Sequence, residues 1–395
     1  MSTAAVVAVP TRERIGVAAT FFVQGLLFIT LTTHLPQTTD RFSFGSGELS
    51  LVLLGVVLLA GVGSVVAEQV AQRADSATAL RTGLAMLTIG LAGFALLPTA
   101  PLALGVGAVY AVGLGMVDAA GNMQAVALEH RYGRPILPSF HGCWTAGGIV
   151  ATLLALATGH LGPAGAVAPL AAVALVAMAA PMLARDRGEA ATSVEVTGVP
   201  WRRIVLVGIA LVLFYMVDTA SSTWGPVYLH HEFGTALADV AIATLPYLVA
   251  TLAARLAGDW AVARFGVVTP LRAGSLVAAA ALAVIVFAPT TAVAVGGFTL
   301  LGLGAGVVAP LSFSAAASIA GGATSDPDER RRRVDAVIAR FNQFNYVGAL
   351  LGAVVTGLVG AGSLRVGFAL PMVVVLGIWP LAKAFAPAKS RAIVN

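Results

Sequence analysis

Two acidic residues stand inside stretches otherwise apolar enough to cross a bilayer: Asp118 in GLGMVDAAGNMQAVALEH and Asp218 in LVLFYMVDTASSTWGPVYL. Inserting a carboxylate at that depth costs about 2.5 kcal/mol or more, so a chain that keeps one is expected to use it. An acid desolvated there can take a proton from one side of a membrane and release it to the other; the competing reading is a buried structural hydrogen bond. At 3.6 residues per turn, Asp118, Asn122 and Glu129 fall on one face of their helix, as do Tyr215, Asp218 and Ser222 on theirs. Lipid would leave such faces unsatisfied, so they are expected to point inward.

Other polar residues extend these faces. His141 and Trp144 share a face of the segment that directly follows the Asp118 helix. His141 reads either as a ligand or proton relay, or as a satisfied packing residue. Trp144 and its repeat counterpart Asn345 offer stacking and hydrogen bonding to a polar, ring-shaped solute, with plain packing the alternative for Trp144. Together with Asn122, Ser222, Trp224, Tyr247, Thr251 and Asn342, they make a set suited to a hydroxyl-bearing substrate. Charged residues near the helix ends, Glu68, Arg73, Glu129, Arg134, Arg255, Asp259, Arg264 and Arg340, are assigned to a cytoplasmic gating network.

Several chemistries are set aside. His230, His231 and Glu232 are adjacent residues expected on an outer loop, which is poor ligand geometry, so no metal site is expected. Gly302, Gly304 and Gly306 lie inside an apolar helix with no preceding strand, which suits close helix packing and not a nucleotide loop. No HExxH, Walker or GxSxG pattern occurs, and neither an enzyme nor a cofactor is expected.

The elements that must position these residues follow from composition. The 395 residues are 58% hydrophobic and 10% charged, with a mean hydropathy of +0.92, whereas a soluble domain carries about 25% charge. Such a chain has no surface to offer water, and an all-α polytopic membrane protein is expected. Apolar runs fall near 15–35, 47–69, 79–98, 101–128, 136–159 and 164–184, then near 203–227, 237–260, 268–288, 291–320, 335–361 and 366–386. That reads as twelve transmembrane helices in two sets of six. The domains are an N-terminal bundle over 1–184, a polar cytoplasmic linker over 185–202 and a C-terminal bundle over 203–395.

Only Arg41 and Arg365 of the 23 lysines and arginines fall in outside loops when the N-terminus is cytoplasmic, so both termini are placed in the cytoplasm. No cleavable leader is expected. The basic balance needs no nucleic acid to explain it; the arginine run at 330–333 reads as a solvated loop near anionic lipid headgroups. The single cysteine, Cys143, reads as a small packing residue.

An internal repeat joins the two sets. LRTG at 80–83 answers LRAG at 271–274, GLG at 113–115 answers GLG at 302–304, and FHGCWTAGG at 140–148 answers FNQFNYVGA at 341–349. The GLG match has an offset of 302 − 113 = 189 and makes Val307 the counterpart of Asp118.

A duplicated six-helix unit with parallel halves resembles the major facilitator superfamily, in which substrate is held near the midplane. Local motifs are similar to its fucose-permease-like branch and that branch's bacterial inner-membrane relatives. The fourth-helix pattern GLG-x-x-(D/E)-x-A-x-N matches Gly113, Leu114, Gly115, Asp118, Ala120 and Asn122, and GRPILPSFHGCWTAGG at 133–148 matches the opening of the fifth helix. In the seventh, DTASSTWGPVYL at 218–229 keeps the acid and Trp224 but replaces a second acid by Thr223. First-helix positions that carry Trp and Arg-Ile-Pro in the relatives read Leu31 and His34-Leu35-Pro36, and the loop signature after the second helix has degenerated around Glu68–Asp75.

The resemblance implies an acid at Asp118 that binds protons and a secondary transporter of the bacterial inner membrane working by alternating access. A monomeric symporter of a sugar-like or polyol solute with protons is the favoured expectation. A proton antiporter exporting drugs or metabolites is the alternative, and a transport-inactive sensor or a membrane enzyme a minor one.

Overall fold

The computed structural model of the chain describes residues 11–132, 136–182, 199–322, 329, 333, 337, 341 and 343–386. Every regular element among them is helical. Ten helices are long and apolar enough to cross a membrane, and two shorter apolar helices, Ala164–Met178 and Gln343–Val359, lie where the sixth and eleventh spans are expected. Leu51, Leu58, Val62 and Val65, on one side of the helix Ser46–Arg73, are all more than half exposed. In water that stripe would be a liability; against acyl chains it is the expected lipid-facing side.

The chain divides into two compact units, one of Met1–His34 with Gly55–Ala190 and the other of Leu35–Leu54 with Ala191–Asn395. The first contains α1 (Thr11–Thr33), most of α3 (Ser46–Arg73), α4 (Ser76–Leu96), α5 (Ala100–Tyr132), α6 (Leu137–Thr158) and α7 (Gly162–Met178). The second contains α2 (Leu35–Phe42), the start of α3, then α8 (Trp201–Phe233), α9 (Thr244–Phe265), α10 (Val268–Val286), α11 (Thr291–Ala305) and α12 (Val308–Gly321). It ends with α13 (Gln343–Leu350), a π-turn over Leu351–Val355, α14 (Thr356–Val359), α15 (Leu364–Val374) and α16 (Ile378–Leu381).

Glycines set the packing in both units. A Cβ added at Gly113 would stand 2.9 Å from the Gly83 carbonyl and 3.0 Å from the Leu87 nitrogen, and one at Gly115 only 1.8 Å from the Ala60 carbonyl. In the second unit a Cβ at Gly304 would stand 2.8 Å from the Gly274 carbonyl and 2.7 Å from the Ala278 nitrogen, and one at Gly306 2.9 Å from the Thr251 carbonyl. Each second-unit residue follows its first-unit counterpart by 191 positions, as in 304 − 113 = 191. This corrects the repeat register in the fourth helix: the GLG strings match as letters at 189, but the backbone contacts align at 191, and the counterpart of Asp118 is Ala309 instead of Val307.

The LR-x-G strings have a shared structural task. Arg81 Nε donates to the carbonyl of Met178, the last residue of α7, at 3.1 Å, and Arg272 Nε donates to the carbonyl of Trp379 in α16 at 3.3 Å. Carbonyls at a helix end lack intrahelical donors, so an arginine from the third span of each unit satisfies the end of the sixth.

Two breaks matter for the site. Pro36 cannot donate to the helix behind it, so α1 stops at Thr33 and its last carbonyls are taken by side chains: His34 Nδ1 meets the Thr30 carbonyl at 2.7 Å and Thr32 Oγ1 meets that of Ile29 at 3.2 Å. The short α2, unexpected from the sequence, follows. The tenth span, expected as one helix over 291–320, breaks between α11 and α12 at Gly306 and Val307. Pro310 stands four residues beyond Gly306 and has no N–H to offer its carbonyl.

Candidate functional site

Among the described residues, several of the polar residues singled out by type come together in the second unit. Asp218 projects from α8, and the hydroxyl of Tyr247 on α9 donates to its Oδ1. Thr251, one turn after Tyr247, is buried with no hydrogen-bond partner for its hydroxyl among the described residues, and the Arg255 guanidinium one turn further acts on both Asp218 and Tyr247. Tyr247, Thr251 and Arg255 follow the i, i+4, i+8 spacing that lines one helix face.

Arg255 also reaches the break in the tenth span. Its Nε lies 3.4 Å from the Gly306 carbonyl, the acceptor that Pro310 leaves without a backbone donor. Arg255, assigned from the sequence to a cytoplasmic gate, joins the acid, a phenol and a broken helix in one constellation. A carboxylate held by a phenol and faced by a guanidinium can take up or release a proton, and the hydroxyls beside it can bond a polar solute.

Around this cluster, Ser222 turns its hydroxyl back to the Asp218 backbone carbonyl at 2.9 Å. Tyr215 is half-buried, stacked edge-on against Phe214 at 5.0 Å, and α13 approaches it so closely at Gly348 that a Cβ there would stand 2.6 Å from the Tyr215 Cβ. Asn345 is half-buried on α13. Trp224 is wholly buried, and its indole N–H donates to the Ala353 carbonyl in the π-turn at 2.9 Å. Its one polar group is thus spent inside the protein, so Trp224 is a core residue here and not a solute contact.

In the first unit Asp118 is half-buried on α5. Asn122, expected to extend its polar face, donates from Nδ2 to the Asp118 backbone carbonyl at 2.9 Å. The His141 ring packs edge-on to Phe21 of α1 at 5.4 Å, and that same Phe21 lies nearest a Cβ added at Gly121 of α5, at 3.6 Å. Phe21 of α1 thus touches the His141 ring and lies beside α5 at Gly121. Trp144 packs against Phe28 with ring centroids 6.0 Å apart. Gln24 on α1, buried and polar, was missed, because one glutamine in an apolar run carries no spacing signal.

Among the expected gate residues, Glu68, Arg73 and Arg264 are exposed, with Arg264 lying over the Phe265 ring at 6.0 Å. Arg134, Arg340 and Asn342, and the side chains of Glu129 and Asp259, lie outside the described residues. The expectation of a loop at His230–Glu232 is corrected: all three residues lie in the last turn of α8. Glu232 is engaged there by Ser363 Oγ at 2.8 Å and Arg365 Nε at 3.2 Å.

Comparison with known proteins agrees with this architecture. Residues 139–353 match the family model of the Major Facilitator Superfamily. Transporter y4wD of Sinorhizobium fredii is 28% identical over 312 residues, covering 77% of this chain and 82% of that protein. An MFS-type transporter of Yersinia pestis is 26% identical over 383 residues, covering 94% and 95%. Among solved structures, the nucleoside transporter NupG superposes with a TM-score of 0.69 at 15% identity over 94% of this chain and 98% of its own. The E. coli fucose:proton symporter FucP does so with a TM-score of 0.60 at 18% identity over 95% and 98%. The family match spans more than half the chain, and the fold and the curated relatives agree with it: the chain belongs to the Major Facilitator Superfamily and is a multi-pass membrane transporter of a small-molecule solute, not an enzyme.

Proposed function

We propose that the chain is a proton-coupled secondary transporter that moves a small hydroxyl-bearing solute, sugar-like or polyol, by alternating access. The observation that carries this reading is Asp218 bonded by Tyr247 and faced by Arg255 beside a broken helix. Its carboxylate is the first candidate for the coupling proton, and Asp118 in the first unit is the second. The hydroxyls of Tyr247 and Thr251 favour a polar solute over a greasy one. FucP carries fucose with protons and NupG carries nucleosides, both solutes with sugar hydroxyls, which supports the same class for this fold. Membership of the bacterial inner membrane, cytoplasmic termini, a monomeric state and bundles over 1–184 and 203–395 joined by 185–202 complete the proposal.

Reconstituted proteoliposomes with an imposed pH gradient test it, using labelled monosaccharides, polyols, nucleosides and a hydrophobic dye. Gradient-driven uptake of one of the first three is expected. Asp218→Asn should abolish the gradient-driven component while leaving exchange of solute across the membrane at equal concentrations. Full gradient-driven accumulation in both Asp218→Asn and Asp118→Asn would refute the coupling, and dye export alone would refute the solute class.

A further inference from the structure

At the end of α8 the helix closes on Gly234, which takes the left-handed conformation at φ 65° and bonds back to the His230 carbonyl at 2.9 Å. The chain then turns so that the Thr235 carbonyl lies 2.9 Å from His230 Nδ1. A carbonyl can only accept, so Nδ1 carries the ring proton, and in a neutral imidazole Nε2 is then a bare lone pair. That lone pair faces Asp40 Oδ2, from α2, at 3.1 Å. Two lone pairs at this separation repel, so a cation belongs between them, either a second proton or a metal ion.

His231 separates the two possibilities. A proton needs one nitrogen and one oxygen, yet a second imidazole converges on the same point: the two rings are 5.3 Å apart, edge to face. The ligand-capable atoms of Asp40, His230 and His231 all lie within 4.8 Å of one another. Zinc bonds of about 2.0–2.1 Å in a tetrahedron set ligand atoms about 3.3 Å apart. The nearest pair already meets that spacing, and the rest is within reach of small rotations because Asp40 and His231 are exposed.

The supports are in place too. Thr39 Oγ1 stands 3.4 Å from His231 Nε2, and Gln37 Nε2 donates to the Leu237 carbonyl at 3.1 Å, tying α2 down beside the site. Glu232, which the sequence sets next to both histidines, is turned away to Ser363 and Arg365. The third donor comes instead from 190 residues earlier.

We propose that Asp40, His230 and His231 form a binding site for a divalent transition-metal ion, Zn2+ by donor type, with a fourth position open to water. Two imidazoles and a carboxylate are a set that zinc takes readily. A bound ion clips α2 to the end of α8.

Equilibrium binding of Zn2+ to the full chain tests this, in detergent after chelator treatment and with a purification tag free of histidine. Uptake of about one ion per chain is expected, with affinity weakened about tenfold or more by Asp40→Asn and by His231→Asn. His160→Asn, which changes an exposed histidine of the other unit, should leave binding unchanged. Co2+ in place of Zn2+ should give the intense visible absorption of a tetrahedral site in the wild-type chain, a readout that does not depend on the variants folding. A chain that binds no Zn2+, or that binds it as tightly in Asp40→Asn and His231→Asn, would overturn the site and leave an imidazolium–carboxylate contact in its place.

Discussion

If Arg255 supplies the donor that Pro310 withholds from the Gly306 carbonyl, then returning a backbone N–H at position 310 should relieve the loss of Arg255. Arg255→Lys is the perturbation to choose, because it keeps the positive charge facing Asp218 and Tyr247 while removing the Nε donor. Gly306 is buried, and a buried carbonyl left without a partner costs about 1–3 kcal/mol. The bond is long at 3.4 Å, so the lower end, about 1 kcal/mol, is the figure to expect. Pro310→Ala restores an amide four residues along and should remove most of that penalty in the double variant, a coupling of about 1 kcal/mol. For a chain this long such an energy moves a melting midpoint by only about 1 °C. Denaturant titration in mixed micelles is therefore the assay. Additivity of the two substitutions within about 0.3 kcal/mol would refute the reasoning, since independent sites add and a shared acceptor does not.

Trp224→Phe keeps the ring but strips the donor from Ala353, and should destabilise the chain by about 1–2 kcal/mol while leaving the apparent KM for solute unchanged; a raised KM with unchanged stability would restore Trp224 to the substrate site. Gly115→Ala forces a Cβ to within 1.8 Å of a backbone oxygen and should cost about 3 kcal/mol or more. Gly105→Ala, with nothing within 4 Å, should be neutral or stabilising by up to about 1 kcal/mol; the same titration separates them. His34, between α1 and α2, is buried, which pushes its imidazole below the usual range, with the Thr30 carbonyl partly opposing. The folded chain then binds fewer protons than the unfolded one as pH falls through about 6.5. Stability is present above that pH and lost below it, so His34→Gln should lose less stability than wild type between about pH 7.5 and 5.5. An equal loss in both would sink the assignment.

Much of the frame was legible because bilayer thickness imposes one strong rule on composition. Both intramembrane acids, Tyr247, Thr251 and Arg255 were identifiable by residue type. Their association was not, because whether Asp218 meets a phenol depends on how α8 and α9 pack. The role of Arg255 depends on a carbonyl 51 residues away that a proline leaves vacant; a glycine four residues before a proline inside an apolar span was the signal available. Repeat register slipped by two positions because glycine-rich strings match at several offsets, and only the backbone atoms opposite each glycine choose among them. Helix α2 escaped notice because eight residues are too few for a hydropathy window built to find spans.

The 191-residue correspondence divides the chain's positions into those that share a packing task with a counterpart and those that do not. Residues such as Gly113 and Gly304, or Arg81 and Arg272, hold equivalent jobs in both halves. Tolerance to substitution along the chain should therefore echo itself at that interval. Asp118 has no acidic echo, since Ala309 stands in its place. A substitution at an unechoed position can alter the chemistry of one half without disturbing a packing contact that the other half repeats.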